Sequence, residues 1–281
     1  SYTEARYQLL PSDVNNIWST FYTEILMNSK AMIAKAEALN SPHNAGVAKV
    51  LTAATLGMAT DVFGDMPYSE ALKGGENVLT PAFDTQQEVY NSIFALLDAA
   101  ITDLSSATNA VAIGGDVIYA GSAAKWKKAA YAIKIRHLMQ LSQVNTTAAY
   151  NAVIAALPNA FASNADDLQV PWEDANHNPI FQFMEQRGDI RMGAKLVDLM
   201  KANNDPRLPF YAAVDGGGNY TGSIAGSEND LASKPGAYIA GATAPSVMMS
   251  YAELKFIEAE ARIRLNGGVA NAAAQAAYEA A

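Results

Sequence analysis

Asp61-Val-Phe-Gly64-Asp65-Met-Pro67-Tyr68-Ser-Glu70-Ala-Leu72 is the stretch that decides the fold, because it ends a strongly periodic helix in a Gly-Asp-x-Pro turn. Upstream, Val47, Leu51, Ala54, Met58 and Val62 recur close to the 3.6-residue period of an amphipathic helix. Gly57 inside that run predicts close approach of a neighbouring helix, and Gly64 stops the run. An earlier helix starts at Pro11-Ser12-Asp13, where Ser or Asp is available as a cap. It aligns Ile17, Phe21 and Ile25, with Trp18 and Tyr22 widening the face, and ends near Asn40-Ser-Pro42.

Downstream, Thr85-Gln-Gln-Glu88 is a capping box in which hydroxyl and carboxylate satisfy first-turn amides reciprocally. The helix it opens carries Val89, Ile93, Leu97, Ala100 and Leu104. After a polar link from Ser105 to Gly121, Ser122 caps a fourth helix with Trp126, Ala130, Ile133 and Leu141 inward. Lys125, Lys127, Lys128 and Lys134 ride its solvated flank. Two antiparallel helix pairs fit a bundle or solenoid plan.

The pattern then loosens. A short helix is expected over 146–157, residues 158–192 have little period, and another helix covers roughly 193–202. Residues 211–249, rich in Gly, Ser, Ala and Asn, read as long loops with one short hairpin; loops of this length usually carry function or disorder. A last helix starts near Ser250 with Leu254, Ile257, Ala261 and Leu265 aligned, and its partner begins at Val269. The pairs resemble tetratricopeptide units with irregular spacing. The fold class is all-α: tetratricopeptide-like helix pairs in an α/α superhelix over 12–145 and 250–281, with a loop-rich ligand-binding region over 146–249.

Composition narrows the function. The chain has 281 residues, 50% of them hydrophobic, which is enough to bury a sizeable core. Only 17% are charged, below the usual quarter of a soluble domain, so small residues and close helix packing are expected. A net charge of −9 and the lack of a basic patch argue against nucleic acid as partner. Without cysteine there is no disulfide, thiol catalysis or Cys-type zinc site. No run of about 18 apolar residues crosses a bilayer. Ser1-Tyr-Thr-Glu and the uncapped pattern of Asn271–Ala281 read as a chain lacking both natural ends.

Catalytic and metal readings find little support. His43, His137 and His177 lack ligand spacing, and Asp61, Asp65 and Glu70 read as turn-bonding groups before a shared cation site. Glu173-Asp174 and Asp166-Asp167 are adjacent acids, which rarely converge across a cleft as glycoside hydrolysis needs. No nucleophile elbow, phosphate loop or dinucleotide fingerprint occurs. No catalytic residue, metal or cofactor is expected.

Several blocks occur in a shared order. They are Gly64-Asp-Met-Pro-Tyr-Ser-Glu-Ala-Leu72, Pro81-Ala-Phe-Asp-Thr-Gln-Gln-Glu-Val-Tyr90 and Asp116–Tyr119. Ala124-Lys-Trp126 through Arg136, Asn178-Pro179, Asp205-Pro-Arg-Leu208 and Ser250-Tyr-Ala-Glu253-Leu254 follow. Together they resemble the SusD/RagB family of outer-membrane nutrient-binding lipoproteins, most closely its SusD-like branch. The resemblance implies one SusD-like domain over 1–281. It implies a surface protein of Bacteroidetes cells that captures glycan, without catalysis, for a SusC-like TonB-dependent transporter of the outer membrane. It also implies anchoring on the extracellular face through an N-terminal lipid, whose cysteine this sequence lacks. Alternatives are a family member that binds peptide or another nutrient, and an all-helical glycoside hydrolase.

Glycans need flat apolar faces for sugar C–H groups beside planar hydrogen-bonding groups. Val170-Pro-Trp172-Glu-Asp-Ala-Asn176-His177-Asn178-Pro179 offers these most densely, with Trp172 as platform and Asn176, His177 and Asn178 as polar partners. The alternative reading of that segment is a packed loop whose Asn side chains satisfy turn backbone. Tyr220 and Tyr238, in Gly-rich loops, are further candidates for stacking. Trp18 and Trp126 lie on periodic helix faces and read as core.

Overall fold

A computed structural model describes residues 6–281; the N-terminal reading of Ser1-Tyr-Thr-Glu lies outside them. The chain forms two compact units. One comprises Asn15–Leu168 and Met248–Ala281; the other comprises Gln169–Val247 with the described residues up to Val14.

The first unit is helical. It contains α2 (Met27–Ala38), α3 (Pro42–Phe63), α4 (Gln86–Leu104), α5 (Ala123–Gln140), α6 (Thr146–Ala156), α11 (Tyr251–Leu265) and α12 (Ala272–Glu279). The first helix, α1 (Pro11–Ser19), runs into α2 through a π-helical stretch, Thr20–Leu26. Phe21 is buried as expected, but Ile17 is exposed. Helix α4 fits its sequence reading closely: the Thr85–Glu88 capping box is formed, and Val89, Ile93, Leu97 and Ala100 are fully buried. Ser122 caps α5, and Ser250 caps α11 by accepting from the Glu253 amide.

Helix α3 departs from the expected stripe. Met58 and Val62 are exposed, whereas Val50, Ala53, Leu56 and Ala59 are buried. The helix is enclosed on more than one side, so a single amphipathic face does not describe it. Its length and apolarity match a membrane span, yet most of it is buried among the other helices. Small residues permit that enclosure. A methyl added at Gly46 would meet Leu104 Cγ at 2.6 Å, and one at Gly57 would meet His137 Cε1 at 2.0 Å.

The turn after α3 is a hydrogen-bonded lock. Met66 exchanges backbone bonds with Asp84, and the Asp84 carboxylate accepts from the Tyr68 and Ser69 amides at 2.7 and 2.8 Å. Asp65 accepts from the Gln86 amide at 2.8 Å and Glu70 from the Ala82 amide at 2.9 Å. The carboxylates of this turn are therefore occupied by backbone. No cluster of three or more His, Asp or Glu suited to a metal occurs among the described residues.

Further along, Asp116 accepts from the Ile118, Tyr119 and Gly121 amides and from the Trp126 indole at 2.8 Å. Burial pushes this carboxyl up, but those donors outweigh it and hold it below the usual carboxylate range. Arg136 forks onto Glu253 with two 2.6 Å bonds and donates to the Met248 carbonyl, tying α5 to the start of α11. These residues belong to the ordered blocks of the sequence, so the blocks mark how helices are joined.

The second unit has little regular structure: α7 (Pro179–Gln186), α8 (Ala194–Ala202), α9 (Leu208–Tyr211) and α10 (Ala237–Ala240). Its small core consists of Met192, Val197, Met200, Leu208 and Ala212, with Tyr211 and Tyr220 packed against it. The expected local hairpin in 211–249 is not formed. The strand β2 (Ser246–Met249) pairs instead with β1 (Leu168–Val170), far away in sequence.

Candidate glycan-binding surface

All six candidate residues fall in the second unit, in three settings. The first is the 172–178 loop. Glu173 and Asn176 exchange backbone bonds at 3.2 and 2.8 Å, which turns the chain tightly and leaves Asn176 exposed. Trp172 is half-buried and donates its indole N–H to Ser246 Oγ at 2.9 Å, which fixes the ring plane. His177 is half-buried, its ring edge-on to Phe181 at 5.0 Å.

Asn178 has a different role from its neighbours. It is 2% exposed, and its Oδ1 accepts from the Ile180 and Phe181 amides as the cap of α7. Its Nδ2 donates to the Ala244 carbonyl at 2.7 Å, and its backbone amide donates to Ala242. These bonds are the turn-satisfying reading of that Asn: it holds the 242–244 loop against α7 and presents nothing to solvent.

Tyr238 forms the second setting. It is 59% exposed on α10, with Tyr211 of α9 at 5.3 Å between ring centroids. Gly236 permits this contact, since a methyl there would lie 2.4 Å from the Phe210 carbonyl. Phe210 is exposed next to Tyr211. The exposure of Phe210 and the pairing of Tyr211 with Tyr238 were not legible in the sequence, because nothing in it foretells the four-residue α9 that follows Asp205-Pro-Arg.

Tyr220 forms the third. It is half-buried against the small core, and its carbonyl accepts from Lys201. The Gly216–Gly218 loop before it is wound around Asp215, which accepts from the Asn219 and Gly217 amides and the Thr221 hydroxyl. Led by the Asn219 amide, these donors hold the Asp215 carboxyl below the usual range.

A family model described as starch-binding, associating with the outer membrane, matches residues 1–281. The chain belongs to that SusD-like family. No curated protein matches it. Among solved structures, it is similar to a SusD/RagB family protein from Bacteroides thetaiotaomicron, with 30% identity and a TM-score of 0.84, over 98% of this chain and 61% of the other. It is also similar to a chitin-binding SusD homologue from Flavobacterium johnsoniae, with 27% identity and a TM-score of 0.85, over 98% and 59%. A further chitin-binding protein matches at 27% identity with a TM-score of 0.83, over 98% and 63%. The chain thus spans about three fifths of the length of these neighbours.

Proposed function

We propose that this chain captures a glycan without cleaving it. In the cell it would act on the extracellular face of the outer membrane, lipid-anchored, and pass its ligand to a SusC-like TonB-dependent transporter. The observation that carries the glycan reading is Tyr238, an exposed ring on a short helix, packed against the Tyr211 ring. A flat face held in place at low entropic cost suits the C–H face of a sugar ring. Trp172, with its plane fixed by Ser246, adds a second platform, and Asn176 and His177 supply planar polar groups beside it. Tyr220 lines up with the Gly-rich loop as a weaker contact, and Asn178 positions the loop without touching ligand.

Membership of a starch-binding family and similarity to two chitin-binding proteins support this reading and suggest the first probes. The chain is incubated with chitohexaose and with maltohexaose, and binding and product sizes are followed together. Binding with intact oligosaccharide is expected. Shorter sugars among the products would establish a hydrolase, and binding of neither sugar would refute the choice of these glycans. Trp172→Ala is expected to weaken binding about tenfold while the fold persists, in line with loss of one aromatic anchor.

A further inference from the structure

A cavity of about 370 Å³ lies inside the helical unit, and none of the six candidate residues lines it. Its lining comes from three segments. Leu26 and the α2 residues Lys30, Ile33, Ala34 and Glu37 form the first. The second is Thr52 of α3, whose hydroxyl is used within its own helix, donating to the Ala48 carbonyl at 2.8 Å. The third is the turn after α3, with Tyr68, Ala71, Leu72 and Lys73. Asp84 fixes that turn through the Tyr68 and Ser69 amides and the Ser69 hydroxyl, so the space is preformed. Leu72 sits in the left-handed region with a φ of 60°, which a residue with a side chain rarely adopts. Lys30 Nζ holds it there by donating to the Leu72 carbonyl at 2.6 Å. Backbone strain that neighbouring bonds maintain is frequent at ligand clamps.

The lining is aliphatic with an uncompensated positive charge. Glu37, its one acid, already accepts from Lys49 at 3.1 Å. Lys30 is spent on Leu72, with the exposed Glu76 at 4.0 Å. Lys73 is half-buried, and its ammonium has no hydrogen bond or ion pair among the described residues. Tyr68 is half-buried too, and its hydroxyl has no partner among them. Burial, then the Asp84 carboxylate, raises the Tyr68 pKa, which keeps that hydroxyl a donor. A half-buried cation beside a neutral donor calls for an anionic acceptor, and a carboxylate supplies it. Leu26, Ile33, Ala34, Ala71 and Leu72 call for a saturated chain. The volume lies at the lower end of the roughly 300–1,000 Å³ of small-molecule sites, so one short ligand fits and a polymer does not.

We propose that this cavity binds one aliphatic monocarboxylate of medium chain length, its carboxylate met by Lys73 and its tail lying on Leu26, Ile33 and Ala34. The test is calorimetric titration of the whole chain with octanoate, beside 1-octanol, which keeps the tail, and acetate, which keeps the charge. Octanoate binds, and each of the other two binds about tenfold more weakly or worse. Lys73→Glu weakens octanoate about tenfold or more and leaves 1-octanol unchanged. Ala34→Trp, at an exposed position of α2, fills the space and lowers the affinity for both. Chitohexaose neither competes with octanoate nor loses affinity in either variant. Absence of octanoate binding, or equal binding of octanoate and 1-octanol, overturns the proposal. So does octanoate binding that Lys73→Glu leaves unchanged, or competition by chitohexaose, which would make the cavity part of the glycan site. Octanoate binding as described with no sugar bound sinks the glycan reading alone; sugar binding with no octanoate bound sinks this proposal alone.

Discussion

The two units spend their polar and aromatic residues differently. In the helical unit Trp126 is buried, Tyr90 donates to Asp61, and Arg136 forks onto Glu253, so large and charged side chains tie helices together. In the loop-rich unit five buried residues make up the core, while Phe210, Phe183 and Tyr238 remain exposed. The same residue types build a frame in one unit and stay exposed in the other. The lesson is that an aromatic residue's role follows from the partners its neighbours supply.

The largest effect that would break this contrast is in the frame. Trp126→Ala removes a fully buried ring and leaves Asp116 without its indole donor. A loss of about 3–5 kcal/mol is expected, read as a lower midpoint in urea unfolding. Gly57→Ala comes next. The new methyl would collide with the His137 ring, and about 1–3 kcal/mol is expected from the overpacking. Combining it with His137→Ala should return part of that loss, because the two residues share one space. Strict additivity of the two changes would argue against the clash.

His137 also sets a pH dependence. It is 3% exposed, Nδ1 meets Gln140 Oε1 at 2.7 Å, and Nε2 has no hydrogen-bond partner among the described residues. Burial lowers its pKa, opposed by Gln140, Asp61 and Glu253 and aided by Arg136. The folded state therefore prefers the neutral ring. This contribution to stability is complete above the unfolded value of about 6.5 and is lost as pH falls below it toward the depressed folded value. Thermal melts between pH 7.5 and 5 should show the decline, and a His137→Gln variant should lack that step.

Much of the frame was legible in the sequence. The capping box at Thr85, the cap at Ser122 and the α4 stripe are local signals, and local hydrogen bonds fulfil them. The stripe assigned to α3 failed because burial on several sides erases amphipathic period, and Gly46 and Gly57 were the better clue. The pairing of β1 with β2 joins residues far apart, which no local pattern encodes. In the loop-rich unit the aromatics were visible as residue types, but their partners were not. Asn178 shows the cost: the residues after it supply two amides to its side chain, and the distant Ala244 carbonyl completes its burial.

A smaller effect sharpens the comparison. Asn178→Ala removes the α7 cap and the tie to Ala244, and about 1–2 kcal/mol is expected from the loss. Its neighbour Asn176→Ala, exposed and joined to Glu173 only through backbone, should leave the unfolding midpoint nearly unchanged.

The division between frame and contact surface is tested most directly by Tyr238→Ala, measured at once for chitohexaose affinity and melting temperature. The account predicts affinity lowered about tenfold or more, with a melting temperature indistinguishable from wild type. Unchanged affinity, or a variant that melts markedly earlier, would contradict it.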